Sequence, residues 1–353
     1  MHFAFTNEQA MIAATVRAFF ATHAASERTR AAMSGDGIDH ELWSGFTKES
    51  GLAGVAIPED FGGAGLGMVE LAIVAEAAGG MVAAFPLLAS IGFCTPAILA
   101  GGTAEQRQSL LPPLVSGAMV ASFSLSDEIS YVNGRVSGMA SYVPHGEAAD
   151  IFILVTDGGP GVVRREATGV TITPQVTMDQ TRPLARIDFD AVEFALLDDG
   201  PSALSAALAT SWLVIAADAL GGAQACLDRT VAYARERIQF GRAIGSFQAV
   251  KHRLADMMVE VEQARSAVYW AACAMDELSA EAPLAVHAAK AFACDTYSRC
   301  AGEMIQLHGG IGFTWEHDAH LFLKRARSNH DLLGTPDWHR EQVAVLAGLD
   351  DAA

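Results

Sequence analysis

The first 115 residues have the apolar spacing of helices. Thr6 is followed three positions later by Gln9, which is the residue pair of a helix-capping box, and apolar residues then recur every three or four positions. Pro112 and Pro113 are typical of a domain boundary. The pattern therefore predicts an N-terminal α-helical domain over residues 1–115.

The next region has the pattern of strands. Short segments rich in β-branched and aromatic residues, such as DIFILVT and ARIDFDAVEFALL, alternate with turn sequences. Asn133-Gly134 is a strong signal for a two-residue hairpin, and Asp199-Gly200 marks a later turn. We expect a middle β domain, a barrel or a sandwich, over residues 116–197.

The remainder of the chain, residues 198–353, returns to helical periodicity. Apolar positions spaced by three and four residues predict helices at about 213–234, 247–277, 282–307 and 316–330. The fold class predicted from these three regions is α+β, with a C-terminal helical bundle following the helical and β domains.

Composition narrows the class of protein. The 353 residues carry a formal net charge of -18, which argues against a nucleic-acid partner because such a partner requires a basic surface. The five cysteines are scattered without a CxxC pair, as expected for thiols in a reducing compartment. The first residues lack a secretory signal pattern, and no long uncharged apolar run is present. We expect a cytoplasmic protein without a membrane span.

One basic segment stands out in this acidic chain. RERIQFGRAIGSFQAVKHRLADM, residues 235–257, carries arginines and two glycines, Gly241 and Gly245, between two predicted helices. Arginine supplies forked donors and glycine allows a close backbone approach, so the turn is suited to a phosphate or pyrophosphate. The alternative is a solvated loop whose arginines pair with surface carboxylates.

A second glycine-containing segment, QLHGGIGF, begins at Gln306. It matches neither the nicotinamide-dinucleotide nor the nucleoside-triphosphate fingerprint, and a single GGxG is usually only a turn. The nearby run Glu316-His317-Asp318-Ala319-His320 lacks the HExxH spacing of a zinc site, so we predict no metal.

Together the two segments resemble the acyl-CoA dehydrogenase family, and GLAGVAIPEDFGGAGLG resembles its N-terminal loop motif. The resemblance covers essentially the whole chain. It implies a helical domain, a β domain and a C-terminal four-helix bundle, with FAD as cofactor, an acyl-CoA substrate and a homo- or hetero-oligomer. It further implies α,β-dehydrogenation, in which a carboxylate removes the α proton and the flavin accepts a hydride, and an electron-transferring flavoprotein or similar acceptor.

The resemblance also implies a set of cofactor-binding residues. Residues of the basic turn and of the glycine segment match positions that meet the FAD diphosphate and adenosine across a subunit interface, and two serines match the strand along the flavin ring. The implied FAD contacts are Ser124, Ser126, Arg237, Phe240, Phe247, Gln248, Gln306, Gly309, Gly310 and Thr335.

The carboxylate that the reaction needs is missing from both positions where the family carries it. Those positions are Leu333 and Ser211 in this sequence. Asp218 lies two helical turns after Ser211 on the same face of an apolar helix, which makes it the candidate catalytic base. The alternative for Asp218 is an ion pair with an arginine or a helix cap.

Two hypotheses follow from the missing carboxylate. In the first, the chain is a self-sufficient dehydrogenase with Asp218 as base. In the second, it is a non-catalytic subunit of a heterotetramer and contributes half of a cofactor site to a partner that carries the base. Trp212 replaces an arginine that the family often has near the thioester, and AAFPLLAS, residues 83–90, resembles the branch that acts on steroid side chains or other bulky acids.

Overall fold

The computed structural model describes residues 5–349, whose elements follow the predicted order of helices, strands and helices. The first helices are α1 (Asn7–His23), α2 (Ser26–Met33), α3 (His40–Ser44), α4 (Met68–Gly80), α5 (Thr95–Gly101) and α6 (Ala104–Val115). The strands that follow are β1 (Ala121–Ser124), β2 (Ile129–Val132), β3 (Arg135–Pro144), β4 (Ile151–Thr156), β5 (Gly159–Arg164), β6 (Val170–Gln175), β7 (Leu184–Glu193) and β8 (Ala195–Leu196). The remaining elements are α7 (Gly200–Glu236), β9 (Ile238–Gln239), β10 (Arg242–Ala243), α8 (Gln248–Asp276), α9 (Ala282–His308), α10 (Ala319–Asp331) and α11 (Pro336–Leu346). The predicted α+β fold class is confirmed.

The chain packs as two compact units that do not follow the three sequence regions. The helical unit comprises Met1–Ser26, Met68–Ala83 and Trp212–Ala353, and the sheet unit comprises Glu27–Gly67 and Ala84–Ser211. The helices before the first strand are therefore divided between the units, with α1 and α4 in the helical unit. The boundaries near residues 115 and 197 describe changes of secondary structure and stay predictions as domain boundaries.

The sheet unit contains two four-stranded sheets. One has the order β1-β4-β5-β8, with β1 and β4 parallel, and the other has the order β2-β3-β7-β6, all antiparallel. Strands of both sheets contribute to one apolar core. Its buried residues are Ile129, Val136, Ala140, Val143, Ala149, Phe152, Leu154, Val163, Ile187, Phe189, Val192 and Phe194.

The predicted hairpin at Asn133-Gly134 joins β2 to β3. Val132 pairs with Arg135, so the loop has only two residues, and both lie at positive φ, 49° and 79°. Two positive φ angles define the type I′ turn, whose twist matches that of the flanking strands. Local turn chemistry therefore fixes the register of this hairpin.

Glycines allow α4 and α7 to pack with their backbones in contact. A Cβ added to Gly79 would lie 2.1 Å from the carbonyl oxygen of Asp218, and one added to Gly221 would lie 1.8 Å from that of Glu76. Only glycine fits at both positions. This contact fixes α7 against α4 within the helical unit.

Helix α6 contains two prolines, and helix α7 is long and apolar. Pro112 and Pro113 lie inside α6 and not after it. Each proline lacks the N–H that would bond an earlier carbonyl, but its φ is compatible with a further helical turn. The Ser116 N–H still donates to the Pro112 carbonyl at 3.0 Å. Gly200–Glu236 is long and apolar enough to cross a membrane by length and composition, yet 67% of its most apolar window is buried inside the protein, as in a core helix.

Candidate functional site

The basic turn between α7 and α8 is a two-residue β-hairpin. Gln239 pairs with Arg242, and the loop residues Phe240 and Gly241 both have positive φ, 52° and 77°. A bulky residue rarely adopts this conformation, and such strain concentrates at functional sites. The Phe240 side chain is 93% exposed and meets the Phe247 ring edge-on with centres 6.1 Å apart, so little burial offsets its strained conformation.

Arg237 stands at the entrance to this hairpin with its backbone fixed on both sides. Its N–H donates to the Tyr233 carbonyl at 2.9 Å, and its own carbonyl accepts from Ile244 N–H at 2.8 Å. The side chain is exposed and, within residues 5–349, has neither a salt bridge nor a side-chain hydrogen bond. A guanidinium on a rigid backbone is thus available for an anionic ligand.

The next two predicted contacts lie at the start of α8. Phe247 is the N-terminal capping residue of that helix and is half-buried, with the Arg242 guanidinium 4.0 Å from the centre of its ring. Gln248 is the first helical residue and is exposed. Arg242 is therefore engaged in a cation–π contact, which leaves Arg237 as the available cation of the hairpin.

The glycine segment lies beside the hairpin in the helical unit. Tyr233 donates a hydrogen bond from its hydroxyl to the His308 carbonyl at 3.3 Å, and the two rings stack with centres 4.3 Å apart. His308 ends α9, so this contact brings the end of α7 to Gly309 and Gly310. The tertiary structure thereby joins two motifs about seventy residues apart in sequence.

The surface around the glycines is open. A Cβ added to Gly309 or Gly310 would meet no atom within 4 Å, and Gly309 has a φ of +62°. Gln306, one turn earlier on α9, is exposed. An open glycine backbone and an accessible guanidinium are donors of the kind that a dinucleotide diphosphate requires, so the residues present fit FAD.

Ser124 and Ser126 lie in the sheet unit at the end of β1. Ser124 is buried and its hydroxyl accepts from the Ser126 N–H at 3.1 Å, while the Ser126 hydroxyl donates to the Met139 carbonyl at 3.0 Å. Tyr142, in an irregular part of β3, has a φ of +61° and is 69% exposed. The two hydroxyls fix the path of the chain after β1.

Thr335 is the N-terminal cap of α11. Its hydroxyl accepts from Trp338 N–H at 3.3 Å, and the two residues before it, Leu333 and Gly334, have positive φ, 55° and 105°. A Cβ on Gly334 would lie 2.6 Å from the Trp338 ring. Leu333–Thr335 is thus a tight connection between α10 and α11.

Asp218 is engaged in the buried ion pair that was the alternative to a role as base. Its Oδ1 accepts from the Arg325 guanidinium at 3.0 Å and its Oδ2 from the Asn329 amide at 2.7 Å, and Asp218 and Arg325 are each 2% exposed. Arg325 also donates to the Ala83 carbonyl at 3.1 Å. Both carboxylate oxygens of Asp218 thus accept bonds from buried donors of α10, so the geometry argues against Asp218 as the catalytic base.

Ser211 is likewise occupied. It is fully buried in the sheet unit, and its hydroxyl donates to the Gly92 carbonyl at 3.0 Å. Beside Gly92, Phe93 stacks on Phe123 with ring centres 3.9 Å apart, and both rings are buried. The second family position for the base is therefore filled by a structural hydroxyl in a packed environment.

Sequence reasoning missed two buried polar groups of α9: Lys290, which donates to the Gly334 carbonyl, and His287, which meets His339 of α11. His287 and Lys290 are buried, and burial lowers the pKa of both side chains. His287 Nδ1 lies 2.7 Å from His339 Nδ1, and burial lowers the pKa of His339 to about 3. A signal was present, because polar residues at i and i+3 in the apolar stretch AVHAAKAFAC lie on one face of the helix.

The hydrogen bonds of this pair determine its tautomers. His339 Nε2 lies 3.3 Å from the Leu333 carbonyl, which can only accept, so the neutral His339 ring carries its proton on Nε2. Its Nδ1 then accepts a hydrogen bond from His287 Nδ1–H. The two histidine rings are thus both neutral, with His287 as the donor and His339 as the acceptor of the bond between them.

The N-terminal and C-terminal parts of this chain match models of one known protein family. Residues 6–118 match the family model "Acyl-CoA dehydrogenase, N-terminal domain", and residues 198–346 match "Acyl-CoA dehydrogenase, C-terminal domain". Acyl-CoA dehydrogenase IpdE2 of Mycolicibacterium smegmatis is 36% identical over 97% of this chain and 98% of its own, and IpdE2 of Mycobacterium tuberculosis is 37% identical over 93% and 94%.

Solved structures give the same result. The structure described as a Tcur3481-Tcur3483 steroid ACAD variant has a TM-score of 0.89 at 30% identity, covering 98% of this chain and 99% of its own. The ChsE4-ChsE5 complex from Mycobacterium tuberculosis has a TM-score of 0.90 at 26% identity, covering 99% of both chains.

The fold and the family matches define a flavin-dependent dehydrogenase. The chain belongs to the acyl-CoA dehydrogenase family, whose reaction is the FAD-dependent dehydrogenation of acyl-CoA thioesters. The resemblance seen in the sequence, the cofactor FAD and the family reaction are confirmed. The individual FAD contacts stay predictions.

Proposed function

We propose that this chain is the base-lacking subunit of a hetero-oligomeric acyl-CoA dehydrogenase. The proposal rests on the side chains at the three candidate positions for the base and on their hydrogen bonds. Leu333 has an alkyl side chain, Ser211 donates to a buried carbonyl, and Asp218 is fixed by Arg325 and Asn329. Removal of an α proton needs a basic side chain positioned at the substrate, and none of these three positions offers one that is free of other contacts.

The chain retains what it needs to bind the cofactor for a partner. FAD would supply the hydride acceptor, and Arg237, Gly309 and Gly310, which lie on an accessible surface of this chain, would hold its diphosphate. Two solved structures similar to this chain are described as Tcur3481-Tcur3483 and as the ChsE4-ChsE5 complex, names that join two gene products. A sister subunit of the same family is therefore the proposed partner, in a heterotetramer.

The substrate proposal concerns the size of the acyl group. The segment AAFPLLAS resembles the branch that acts on steroid side chains or other bulky acids, and the similar Tcur3481-Tcur3483 protein is described as a steroid ACAD. We propose a bulky, ring-bearing acyl-CoA as substrate and an electron-transferring flavoprotein or a similar acceptor. A cytoplasmic location is part of the same proposal.

Purification alone and with a sister subunit tests the proposed function. The sister chain is a family member that carries glutamate at one of the two base positions. We expect the single chain to show no turnover with an artificial electron acceptor and the co-purified complex to be active. Replacing the sister glutamate with glutamine is expected to abolish that activity. Turnover by the isolated chain at the rate of the complex would overturn the proposal.

A panel of acyl-CoA thioesters tests the substrate class. Octanoyl-CoA and palmitoyl-CoA represent straight chains, and a steroid with a CoA-activated side chain represents ring-bearing acids. The complex is expected to have a kcat/KM for the steroid thioester at least tenfold above that for either straight chain. The reverse order would remove the bulky-substrate proposal without affecting the subunit assignment.

A further inference from the structure

The amino group of Lys290 is buried without a carboxylate partner. Lys290 is 0% exposed, and its Nζ donates to two backbone carbonyls, that of His330 at 3.1 Å and that of Gly334. Within residues 5–349, its side chain makes no salt bridge. A buried amino group is costly unless it is hydrogen-bonded, so a lysine in this place needs a specific reason.

The two carbonyls belong to one short segment. His330 is in the last turn of α10, where a cationic donor is favoured by the unpaired carbonyls at the helix end. Gly334 is the residue before Thr335, the N-terminal cap of α11. Lys290 therefore connects the end of one helix to the start of the next from a third helix, α9.

The segment between those helices has a strained backbone. Leu333 and Gly334 are consecutive residues at positive φ, 55° and 105°, which a leucine adopts only when its surroundings impose it. The Trp212 indole N–H donates to the Leu333 carbonyl at 2.8 Å. Side chains of α7 and α9 thus hold the carbonyls of residues 330, 333 and 334.

We propose that Lys290 is a positioning residue for the cofactor site: its amino group holds residues 330–334 so that Thr335 keeps the place and orientation in which its hydroxyl meets FAD. The inference rests on the family's use of FAD and not on the partner-subunit assignment. In this chain, Leu333 stands where the family carries a carboxylate. The hydrogen bonds from Lys290 still hold the segment that precedes Thr335, the N-terminal cap of α11.

Flavin binding by matched variants tests this role. Lys290→Met retains most of the buried side-chain volume and removes the donor, Thr335→Val removes the hydroxyl, and Lys48→Met, at an exposed lysine of the sheet unit, is the control. The variants are made in the protein in the form that carries flavin on purification, whether this is the chain alone or its complex with a sister subunit. FAD affinity is measured after flavin removal, together with the visible spectrum of the bound flavin and the melting temperature.

The expected result is coupling between the two positions. Lys290→Met and Thr335→Val are each expected to raise the FAD dissociation constant about tenfold, the loss typical of one buried hydrogen bond. The double variant is expected to be no weaker than the weaker single variant, because Lys290 acts through Thr335. Lys48→Met is expected to leave affinity and spectrum unchanged.

Two results would overturn the positioning role. One is an unchanged FAD dissociation constant and flavin spectrum in Lys290→Met, and the other is full additivity of the two substitutions, which is the signature of a purely structural lysine. If Lys290→Met does not fold, Lys290→Gln keeps an N–H donor on a shorter stem and must show the same coupling with Thr335→Val. Activity of the isolated wild-type chain would contradict the proposed function alone, since FAD binding is read independently of it.

Discussion

Asp218 and Arg325 form a buried ion pair with 3.0 Å between the carboxylate and the guanidinium. Their side chains are 3% and 2% exposed, and the pair joins α7 to α10 inside the helical unit. Desolvation opposes such a pair, but removing one partner leaves the other charge buried and uncompensated. The pair therefore contributes to the architecture of the unit, and it engages the carboxylate that a base would have to present to substrate.

Replacing Asp218 is expected to affect stability and not turnover. Asp218→Asn removes the negative charge that faces the buried Arg325 and is expected to lower the free energy of unfolding by about 3 kcal/mol. Asp228→Asn, at an exposed acid on the same helix, is the control and is expected to change it by less than about 0.5 kcal/mol. Thermal unfolding and turnover per bound flavin are measured on both. A loss of turnover at unchanged stability would restore Asp218 as the candidate base.

Arg237 is expected to contribute to flavin affinity through its charge. Arg237→Gln should raise the FAD dissociation constant of the complex about tenfold or more, since a charge-assisted hydrogen bond contributes about 1.5–3 kcal/mol. Arg235→Gln is the matched control, because Arg235 is also exposed at the end of α7 but lies outside the hairpin. Titration of the flavin-free complex with FAD measures both. Equal effects of the two substitutions would indicate a general electrostatic contribution and no specific contact.

Phe240 is expected to show a trade-off between stability and cofactor binding. Phe240→Asn removes a bulky residue from a φ of +52° and should stabilise the chain by about 0.5–1 kcal/mol, since asparagine tolerates this conformation. The same variant should retain less FAD. Phe313→Asn, at a similarly exposed phenylalanine without positive φ, is expected to give no gain in stability. Chemical denaturation of the flavin-free chain decides the point, and destabilisation by Phe240→Asn would refute the strain argument.

The buried histidines predict a loss of stability in mild acid. Burial lowers the pKa of His287 and of His339, the latter to about 3, so the unfolded chain binds more protons than the folded chain below a pH of about 6.5. Their contribution is present in full above that pH and is lost as the pH falls toward 3, by no more than about 1.4 kcal/mol per pH unit per histidine. His339→Asn should flatten the dependence of melting temperature on pH between 7.5 and 5. His252→Asn, at an exposed position, should leave it as in the wild type.

Local sequence determined the elements and several of their ends. The Thr6–Gln9 capping box is formed, and Asn133-Gly134 makes the expected two-residue hairpin, because both depend on contacts within a few residues. The basic, glycine-containing turn also lies between two long helices, as its residues predicted. These features are encoded by short-range hydrogen bonding and by the φ preferences of individual residues.

Tertiary packing determined the burial and pairing of side chains, which local preferences could not. Which charged groups become buried, and against which partners, depends on residues far apart in the chain: Arg325 meets Asp218, and Lys290 meets the Gly334 carbonyl. The division of the N-terminal helices between two units likewise follows from side-chain packing and backbone contact such as that of Gly79 with α7. The sequence by itself thus determined the secondary structure and the family of this protein, because both are written in local patterns. Only the tertiary structure decided that Asp218 is engaged in an ion pair, because burial and pairing arise when distant segments meet.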